Sequence, residues 1–239
     1  MKTIITITLL LLFTSQNLAP FSKKKLIIWD VGQGLWATIL HQGSCHHFDT
    51  GGEHFDPTKM NSFCRKTNNY LYYSHNDLDH INFSKVLPFR EYCAVSNFIK
   101  KKGVPSIETN CPKPREGLAE MIYSPYNKKS KKNPNELSKV FTWNKKVLLP
   151  GDSLAKNELY WSKKLAKMKI EVLILGHHGS ATSTSNRLLK KLPLLRLAIA
   201  SARKNRFGHP HPDVYNRLTR KGVPLISTEK WGNIIIELE

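Results

Sequence analysis

The sequence predicts an α/β layered fold that forms a single large domain. Short apolar strands fill the first half of the 239-residue chain, and helices alternate with strands in the second half. Hydrophobic residues make up 40% of the chain, and no stretch has the composition of a linker, so one buried core is expected. Runs of strands followed by alternating elements are typical of sheets that pack face to face with helices outside.

The strands of the first half are short, apolar and separated by turns at Gly32, Gly34 and Gly43. They are KLIIW (25–29), LWATILH (35–41), CHHFD (45–49) and YLYYS (70–74). The following stretch, 92–140, is rich in Lys, Pro and Asn and shows no clear helix. It is expected to form surface loops around a few short strands.

The second half begins with a hairpin, KVFTW (139–143) and KVLLPGD (146–152), and then alternates. An amphipathic pattern predicts a helix over 155–168, and a Ser/Thr cap predicts another over 183–192. A third helix over 212–222 ends at Gly222. The remaining strands are expected at 170–176, 195–201, 223–228 and 233–238.

The N-terminus has the layout of a secretory signal peptide. One positive charge at Lys2 precedes an apolar run from Ile4 to Phe13 and small or polar residues up to Ala19. This order favours a cleaved signal at 1–19 and a mature domain at 20–239 that is secreted or periplasmic. The alternatives are a buried first strand or an uncleaved anchor. No later segment has the length and apolarity of a membrane span.

Four cysteines lie in the first half of the chain: Cys45, Cys64, Cys93 and Cys111. An exported chain with an even count allows two disulfides in three possible pairings, and four ordinary thiols are the alternative. The absence of CxxC spacing argues against a thiolate zinc site.

The formal net charge of +19 indicates a polyanionic partner. Such a field attracts nucleic acid through phosphate contacts and counterion release, although a generic basic surface gives the same composition. Tyr123, Tyr126 and Trp143 are candidates for stacking on bases. The candidate phosphate contacts come from two basic runs and are Lys128, Lys129, Arg203, Lys204 and Arg206.

Four potential metal ligands are concentrated in SHNDLDH (74–80), directly after a predicted strand. His75 and Asp77 are two residues apart and can point the same way, whereas Asp79 and His80 are adjacent and diverge. One loop can therefore hold two neighbouring cations, with His75 and Asp77 on one and Asp79 and His80 on the other. A solvated polar turn is the alternative reading of this segment.

Other polar signals also stand at predicted strand ends, where loops on a rigid scaffold can converge. Asp49 follows the third strand, Asp152 ends VLLPGD, and His177 and His178 follow the strand at 170–176. Asp152 can bridge two cations, while Asp49 is expected to orient the groups that bind metal. Two divalent ions held side by side are suited to phosphoryl displacement.

These motifs, in this order, resemble the metallo-β-lactamase-fold domain of ComEC-type DNA-uptake proteins. The segments that carry the resemblance are DVGQG (30–34), FDTGG (48–52), SHNDLDH (74–80), LLPGD (148–152), GHHGS (176–180) and NRFGHPHPDVYNRL (205–218). The resemblance implies an αββα four-layer sandwich, a two-metal site at the sheet edges and hydrolysis of phosphodiesters. DNA is the substrate that it implies.

The resemblance also implies roles for individual residues. It makes Asp152 the bridging ligand, and it makes either His177 or His178 a further ligand, with the other facing the substrate phosphate. As a working assignment we place His178 at the metal and His177 at the substrate. His209 is expected near the substrate, as a phosphate contact or an acid, with a structural turn histidine as the alternative. The ligand set is then His75, Asp77, Asp79, His80, Asp152 and His178; Asp79, His177 and His209 are the catalytic candidates, and Asp49 and Ser180 support them.

Two departures from the family pattern are visible. Asn82 and Phe83 stand where two glycines are usual, and Ile174 stands where a lysine is common. Because Asp77 replaces a histidine found in many enzymes of this fold, the site is harder and favours Mn²⁺, with Mg²⁺ or Zn²⁺ possible.

Three functions are consistent with the sequence. An exported metal-dependent nuclease is favoured, because small neutral substrates need no field from such a charge. The first alternative is a hydrolase of another exported substrate, such as a phosphorylcholine ester, a lactam or a lactone. The second is a non-catalytic nucleic-acid-binding module. The oligomeric state is left open.

Overall fold

The computed structural model describes residues 24–87, 92–94, 118–125 and 133–238. Within these residues, two six-stranded sheets pack face to face, and helices cover their outer faces. The predicted α/β layered architecture is confirmed, and so is the αββα order of layers. None of the helices in these ranges has the length and apolarity that a membrane span needs.

The first sheet has the strand order β12–β1–β2–β3–β4–β5, and the second has the order β11–β10–β9–β8–β7–β6. The strand bounds are β1 Lys24–Ile28, β2 Ala37–His41, β3 Ser44–Phe48, β4 Asn68–Tyr72, β5 Cys93–Ala94, β6 Ala119–Tyr123, β7 Val140–Trp143, β8 Val147–Leu149, β9 Val172–Ile174, β10 Leu197–Ala200, β11 Leu225–Ser227 and β12 Ile234–Leu238.

The described helices are short, and several continue as 3₁₀ turns. Their bounds are α1 Pro57–Cys64, α2 Leu78–Ile81, α3 Ala155–Trp161, α4 Asn186–Lys190, α5 Lys204–Phe207, α6 Pro212–Arg220 and α7 Thr228–Trp231. The 3₁₀ turns are Asn82–Lys85, Pro134–Leu137, Ser162–Lys167 and Gly176–Gly179.

Alternation along the strands builds the layers. In β1, Leu26 and Ile28 enter the core between the two sheets, whereas Ile27 faces the opposite layer beneath α1. In β9, Val172 and Ile174 face the core between the sheets, while Leu173 faces the helices. Successive side chains of a strand point to opposite faces, so strands with helices on one side and a sheet on the other are apolar throughout.

The candidate site residues lie where parallel strands end. Strands β3 and β4 run parallel in the first sheet, and β8, β9 and β10 run parallel in the second. The carboxyl ends of parallel neighbours lie at the same edge of a sheet, and the loops that follow them from both sheets meet there.

Several elements differ from the sequence prediction, which did not include the short helices α2, α5 and α7. Helix α1 was not predicted, although Asp56 caps it by accepting the backbone N–H groups of Thr58 and Lys59, and Pro57 takes its first position. The helix expected over 155–168 is α-helical only as far as Trp161 and continues as a 3₁₀ turn to Lys167.

A disulfide joins Cys45 in β3 to Cys64 at the end of α1, so one pairing left open by the sequence is now given. The expectation that Trp143 stacks on bases is wrong, because its side chain is only 1% exposed within the core between the sheets. The predicted signal peptide at 1–19 lies outside the described residues, as do Cys111, Tyr126, Lys128 and Lys129.

Candidate metal centre

The loop after β4 and the loop after β8 bring a first group of polar atoms together. Nε2 of His75 lies 3.4 Å from Oδ2 of Asp77 and 3.9 Å from Oδ2 of Asp152. His75 and Asp152 are buried, whereas Asp77 is about one-third exposed, at 34%. This group is therefore open to solvent on the Asp77 side.

A second group lies beside the first and includes a histidine from the other sheet. Nε2 of His80 lies 3.0 Å from Oδ1 of Asp152. Nε2 of His178 lies 3.2 Å from Oδ2 of Asp79 and 3.3 Å from Nε2 of His80. One ligand atom from each of these four residues falls within 4.8 Å of the others, which is the spacing of atoms around one cation.

Asp152 stands between the two groups. Its Oδ2 faces His75 and His177, and its Oδ1 faces His80 and His178. A carboxylate that presents one oxygen to each of two sets of imidazole and carboxylate atoms has the placement of a bridging ligand. The backbone N–H of Asp152 donates to Oγ of Ser138 at 3.0 Å, which fixes the turn after β8.

Asp49 supports the loop after β4 from behind. Its Oδ1 accepts the backbone N–H of Ser74 at 2.7 Å, and its Oδ2 accepts the Ser74 hydroxyl at 2.7 Å. The same Oδ2 lies 2.7 Å from Nδ1 of His80. Asp49 is 2% exposed and contacts groups behind the two sets, where it fixes the orientation of the His80 ring.

The imidazoles of His75, His80 and His178 each donate a hydrogen bond from Nδ1 to a group outside the cluster. Nδ1 of His80 donates to Asp49, and Nδ1 of His178 donates to the backbone carbonyl of Ser201 at 2.9 Å. The single hydroxyl hydrogen of Ser74 goes to Asp49, so that oxygen accepts from Nδ1 of His75 at 2.9 Å. Each Nε2 lone pair consequently points into the cluster, as it does in metal-ligating histidines.

The cluster is a set of acceptors that needs positive charge. Nε2 of His75 and Oδ1 of Asp152 are buried and receive no hydrogen bond. Burial opposes charge on His80, yet the carboxylates of Asp152 and Asp49 raise its pKa well above the usual value. Burial likewise opposes ionisation of Asp152, and His80 and His178 hold its pKa well below the usual range. Divalent cations satisfy this donor set, and the residues present therefore fit a metal centre.

His177 and His178 diverge because of an unusual backbone turn. Both residues have positive φ, 49° and 55°, inside the 3₁₀ turn Gly176–Gly179. This left-handed region is costly for a non-glycine residue and is concentrated at functional sites. It directs Nε2 of His178 toward Asp79 and Oδ1 of Asp152. Nε2 of His177 lies 3.1 Å from Nδ2 of Asn135 and 3.7 Å from Oδ2 of Asp152, on the partly exposed side of the cluster.

His209 and Ser180 are linked to the cluster through His177. The His209 ring is 5.9 Å from the His177 ring, and its Nδ1 is buried with no hydrogen-bond partner among the described residues. Burial lowers the pKa of His209 to about 4, and the neighbouring His178 and His177 contribute. Ser180 bonds the Thr182 hydroxyl at 2.9 Å, and that hydroxyl lies 3.2 Å from Nδ1 of His177.

The basic loop before His209 is tied to Glu53. Nη1 of Arg203 lies 3.0 Å from one carboxylate oxygen of Glu53, and Arg206 pairs with the other. The backbone N–H of Gln33 also donates to Glu53, at 3.1 Å. The predicted phosphate contacts Arg203 and Arg206 therefore already have a counter-ion, whereas Lys204 is exposed beside them.

The departure at Asn82 and Phe83 has a structural role. Oδ1 of Asn82 accepts the backbone N–H of Gly52 at 2.9 Å, which ties the FDTGG loop to the end of α2. The Phe83 ring stacks against Trp36 and lies 4.6 Å from Phe55. Both residues fasten the loop from behind, and Ile174 is buried between the sheets.

Several contact residues were not foreseen from the sequence. Ser74 is the first residue of SHNDLDH (74–80), so its place beside the candidate ligands is visible in the sequence. Asn135 and Ser138 belong to the irregular stretch before β7, where no pattern marks them. Glu53 directly follows FDTGG, but its arginine partners are about 150 residues away in the chain.

Sequence comparison finds relatives among competence proteins. The chain is 32% identical to Recombination protein 2 of Haemophilus influenzae over 222 residues, which is 86% of this chain and 28% of that protein. It is 26% identical to Competence protein ComA of Neisseria gonorrhoeae over 228 residues, 89% of this chain and 32% of that protein. The chain thus spans about a third or less of the length of these relatives. No family model matches the sequence.

Structural comparison identifies the fold. The metallo-beta-lactamase fold protein YhfI from Bacillus subtilis aligns with a TM-score of 0.53 and 12% identity, over 90% of this chain and 100% of that one. A metallo hydrolase from the archaeon Ignicoccus hospitalis aligns with a TM-score of 0.51, also at 12% identity, over 90% of this chain and 100% of that one. The metallo-β-lactamase fold implied by the motifs is confirmed.

Proposed function

Because the chain has the metallo-β-lactamase fold and its sequence matches competence proteins of the ComEC type, we propose that it is a metal-dependent phosphodiesterase acting on nucleic acid, with DNA favoured. One observation carries the proposal. Three buried imidazoles turn their Nε2 lone pairs toward three carboxylates, and each gives its Nδ1 hydrogen away from the cluster. This arrangement supports a two-metal site shared by Asp152.

The two groups divide the proposed ligands. His75 and Asp77 would hold one ion, Asp79, His80 and His178 would hold the other, and Asp152 would be shared by both. The carboxylate of Asp77 makes the first position harder than an all-imidazole site, which favours Mn²⁺ over Zn²⁺, with Mg²⁺ as the other hard candidate. When bound, such a pair supplies Lewis acidity and a water of lowered pKa.

The more exposed residues of the site face the proposed substrate. His177 is about one-quarter exposed, at 26%, and stands between the cluster and His209. The partly buried His209 ring lies 5.9 Å from the His177 ring, which supports a role beside the substrate. Asp49 and Ser180 support the ligand-bearing loops through hydrogen bonds and do not themselves reach the substrate.

The charge of the chain distinguishes the candidate substrates. A formal charge of +19 favours a polyanion over the esters, lactams and lactones hydrolysed by other enzymes of this fold. The inward-facing ligand set argues against a purely binding module, because such a module has no need for buried, unpaired acceptors. We therefore favour the nuclease over both alternatives, the hydrolase of another exported substrate and the non-catalytic binding module.

A cleavage assay tests the proposal. Plasmid and single-stranded DNA are incubated with the purified domain in Mn²⁺, Mg²⁺, Zn²⁺ or chelator, beside Asp79→Ala. We expect Mn²⁺-stimulated cleavage that is lost in chelator and in Asp79→Ala. Glu120→Ala, which removes an exposed carboxylate on β6, is the matched control and should cleave normally. Full activity in chelator, or in Asp79→Ala, would contradict the proposal.

We also propose that the domain acts outside the cytoplasm. The charge and apolarity pattern of residues 1–19 supports export, and the Cys45–Cys64 disulfide is typical of an oxidising compartment. Fractionation of cells that express the full chain, with N-terminal sequencing of the product, tests this. A cytoplasmic product that retains Met1 would contradict it.

A further inference from the structure

Next to the candidate metal centre lies an exposed surface that is both basic and aromatic. It is formed by the loop after β10 with α5 and by α7. We name it the basic-aromatic rim; its residues are Arg203, Lys204, Arg206, Phe207, Lys230 and Trp231. The roles proposed above for the metal centre leave its aromatic members unused.

Two large rings in the rim are exposed to solvent. The side chain of Phe207 is 56% exposed, and that of Trp231 is 64% exposed. The Arg206 guanidinium lies 5.2 Å from the centroid of the Phe207 ring, which is a cation–π contact. An exposed aromatic ring held by an arginine is suited to stacking on another planar group.

Hydrogen bonds and ring contacts place the rim beside the site. The backbone N–H of Lys204 donates to Glu229 at 3.1 Å, which joins α5 to α7, the helix that carries Trp231. The Phe207 ring lies 6.0 Å from the His209 ring, and that ring lies 5.9 Å from His177. A chain bound across the rim would therefore lead toward the metal centre.

The net positive charge of the rim favours a polyanionic ligand. The rim carries four basic side chains and has two carboxylates beside it. Glu53 pairs with Arg203 and Arg206, and Glu229 accepts the backbone N–H of Lys204, so the surface keeps a positive excess. Glu53 holds Arg203 and Arg206 in place, and both stay about half-exposed, at 47% and 54%. Phosphate groups can contact these arginines without displacing them from the loop.

We propose that the basic-aromatic rim binds an unpaired nucleic-acid strand, with bases stacking on Phe207 and Trp231 and phosphates contacting the basic side chains. This inference rests on the proposed function and deepens it, because it names a single strand as the substrate form. The bases of a duplex are stacked on each other and cannot reach a surface ring, whereas an unpaired base can. The rim therefore replaces Trp143, which is buried, as the stacking surface.

Binding measured without cleavage tests the rim separately from the metal chemistry. Fluorescence anisotropy in chelator follows a labelled thymidine oligomer, an abasic oligomer of equal length and a duplex. We expect Phe207→Ala and Trp231→Ala each to weaken oligomer binding at least about 5-fold, the scale of one stacked base. Duplex binding should change little. The abasic oligomer loses both stacking contacts and should bind the unaltered protein more weakly than the oligomer binds either single variant.

Matched variants separate stacking from other effects. Tyr160→Ala removes an equally exposed ring, 64%, from α3 and should bind normally. Phe207→Tyr should preserve binding and Phe207→Leu should not, because leucine keeps the apolar character without the aromatic face. Circular dichroism confirms that each variant is folded.

Several outcomes would contradict the proposal that the basic-aromatic rim binds an unpaired strand. Unchanged oligomer affinity in Phe207→Ala and Trp231→Ala would do so, as would equal losses for the oligomer and the abasic strand. Loss of binding to anionic phospholipid vesicles with unchanged oligomer binding would identify a membrane surface instead. Cleavage in Mn²⁺ is scored independently, so a protein that binds strands through the rim without cleaving them would refute only the proposed function.

Discussion

His80 and His178 face each other through Nε2 atoms that lie 3.3 Å apart, although they come from loops of different sheets. Each ring donates its Nδ1 hydrogen to a fixed acceptor on its other side. Two lone pairs at this distance repel unless a cation lies between them or protons are added. The contact therefore joins the two halves of the sandwich through the proposed metal centre.

The two adjacent histidines of GHHGS should differ in metal binding. His178→Ala removes an inward-facing Nε2, and we expect Mn²⁺ affinity to fall at least about 100-fold. His177→Ala removes a partly exposed ring whose Nε2 lies near Asp152 but is hydrogen-bonded by the Asn135 amide, so we expect a much smaller loss of affinity together with a lower rate of cleavage. Isothermal titration calorimetry measures the affinities. Similar losses of Mn²⁺ affinity in both variants would show that the division of roles is wrong.

Asp49 should affect metal affinity without contacting the metal. Asp49→Asn keeps a side chain that tolerates the positive φ of 57° at this position. It weakens the hydrogen bond that orients the His80 ring. We expect metal affinity or cleavage to fall about 10- to 100-fold, with the fold retained. Asp30→Asn makes the same change in charge at a site that is about one-third exposed, 35%, and serves as the control in the same titration.

Gly51 should matter because of the backbone that it touches. A Cβ at this position would lie 2.3 Å from the backbone carbon of Asp79 and 2.3 Å from the backbone nitrogen of His80. Gly51→Ala must therefore push the ligand loop away, and we expect loss of Mn²⁺ binding together with a lower melting temperature.

Gly43→Ala is the control for that substitution. Gly43 has a φ of +74°, and a Cβ there would meet nothing within 4 Å. Only the conformational cost of about 1 kcal/mol applies, so stability should fall slightly and Mn²⁺ affinity should not change. Retained Mn²⁺ affinity in Gly51→Ala would show that the loop after β4 can move without losing its ligands.

The sequence predicted the strands and the positions of the site loops, because both depend on local patterns. Apolar runs bounded by glycine turns identified the strands, and polar residues at their ends identified the loops. The left-handed turn at His177 and His178 could not be predicted, since non-glycine residues rarely adopt positive φ and no local pattern marks the exceptions. The pairing of Glu53 with Arg203 and Arg206 was also hidden, because it joins distant segments.

The Cys45–Cys64 disulfide should contribute substantially to stability. It joins residues 19 apart in sequence, and a loop of this length restricts the unfolded chain by about 3 kcal/mol. We expect the double variant Cys45→Ala/Cys64→Ala to melt roughly 6–12 °C lower than the unaltered protein. Reductant should lower the melting temperature of the unaltered protein toward that of the variant. Equal melting temperatures in oxidising conditions would contradict this expectation.

Two buried histidines should make the fold sensitive to acid. Burial lowers the pKa of His46 to about 3, with a contribution from His47. Burial also lowers the pKa of His47 to about 4, and a hydrogen bond with Asn69 opposes the shift. The His46 ring stacks on Tyr70 at 4.9 Å and packs against Trp143, so a charge there would be enclosed by apolar rings.

The sign of the effect follows from proton binding. The unfolded chain takes up protons on these imidazoles below pH 6.5, whereas the folded protein does not until the lower pKa is reached. The contribution of these two neutral imidazoles to the free energy of unfolding is therefore fully present above pH 6.5. It is lost as the pH drops toward 4, by about 3 kcal/mol for His47 alone. Urea unfolding in chelator at several pH values measures this slope, and chelator removes the contribution of bound metal.

Comparison with a variant isolates the histidines from other titrating groups. His46→Gln can keep a hydrogen bond with Tyr72 but carries no titrating ring, so the loss of stability between pH 6.5 and 4 should be smaller than in the unaltered protein. His54→Gln removes a half-exposed imidazole, 53%, and should leave the slope unchanged. If His46→Gln and the unaltered protein lose the same free energy over this range, protonation of the buried ring is not the cause of acid unfolding, and the carboxylates of the metal centre become the groups to test.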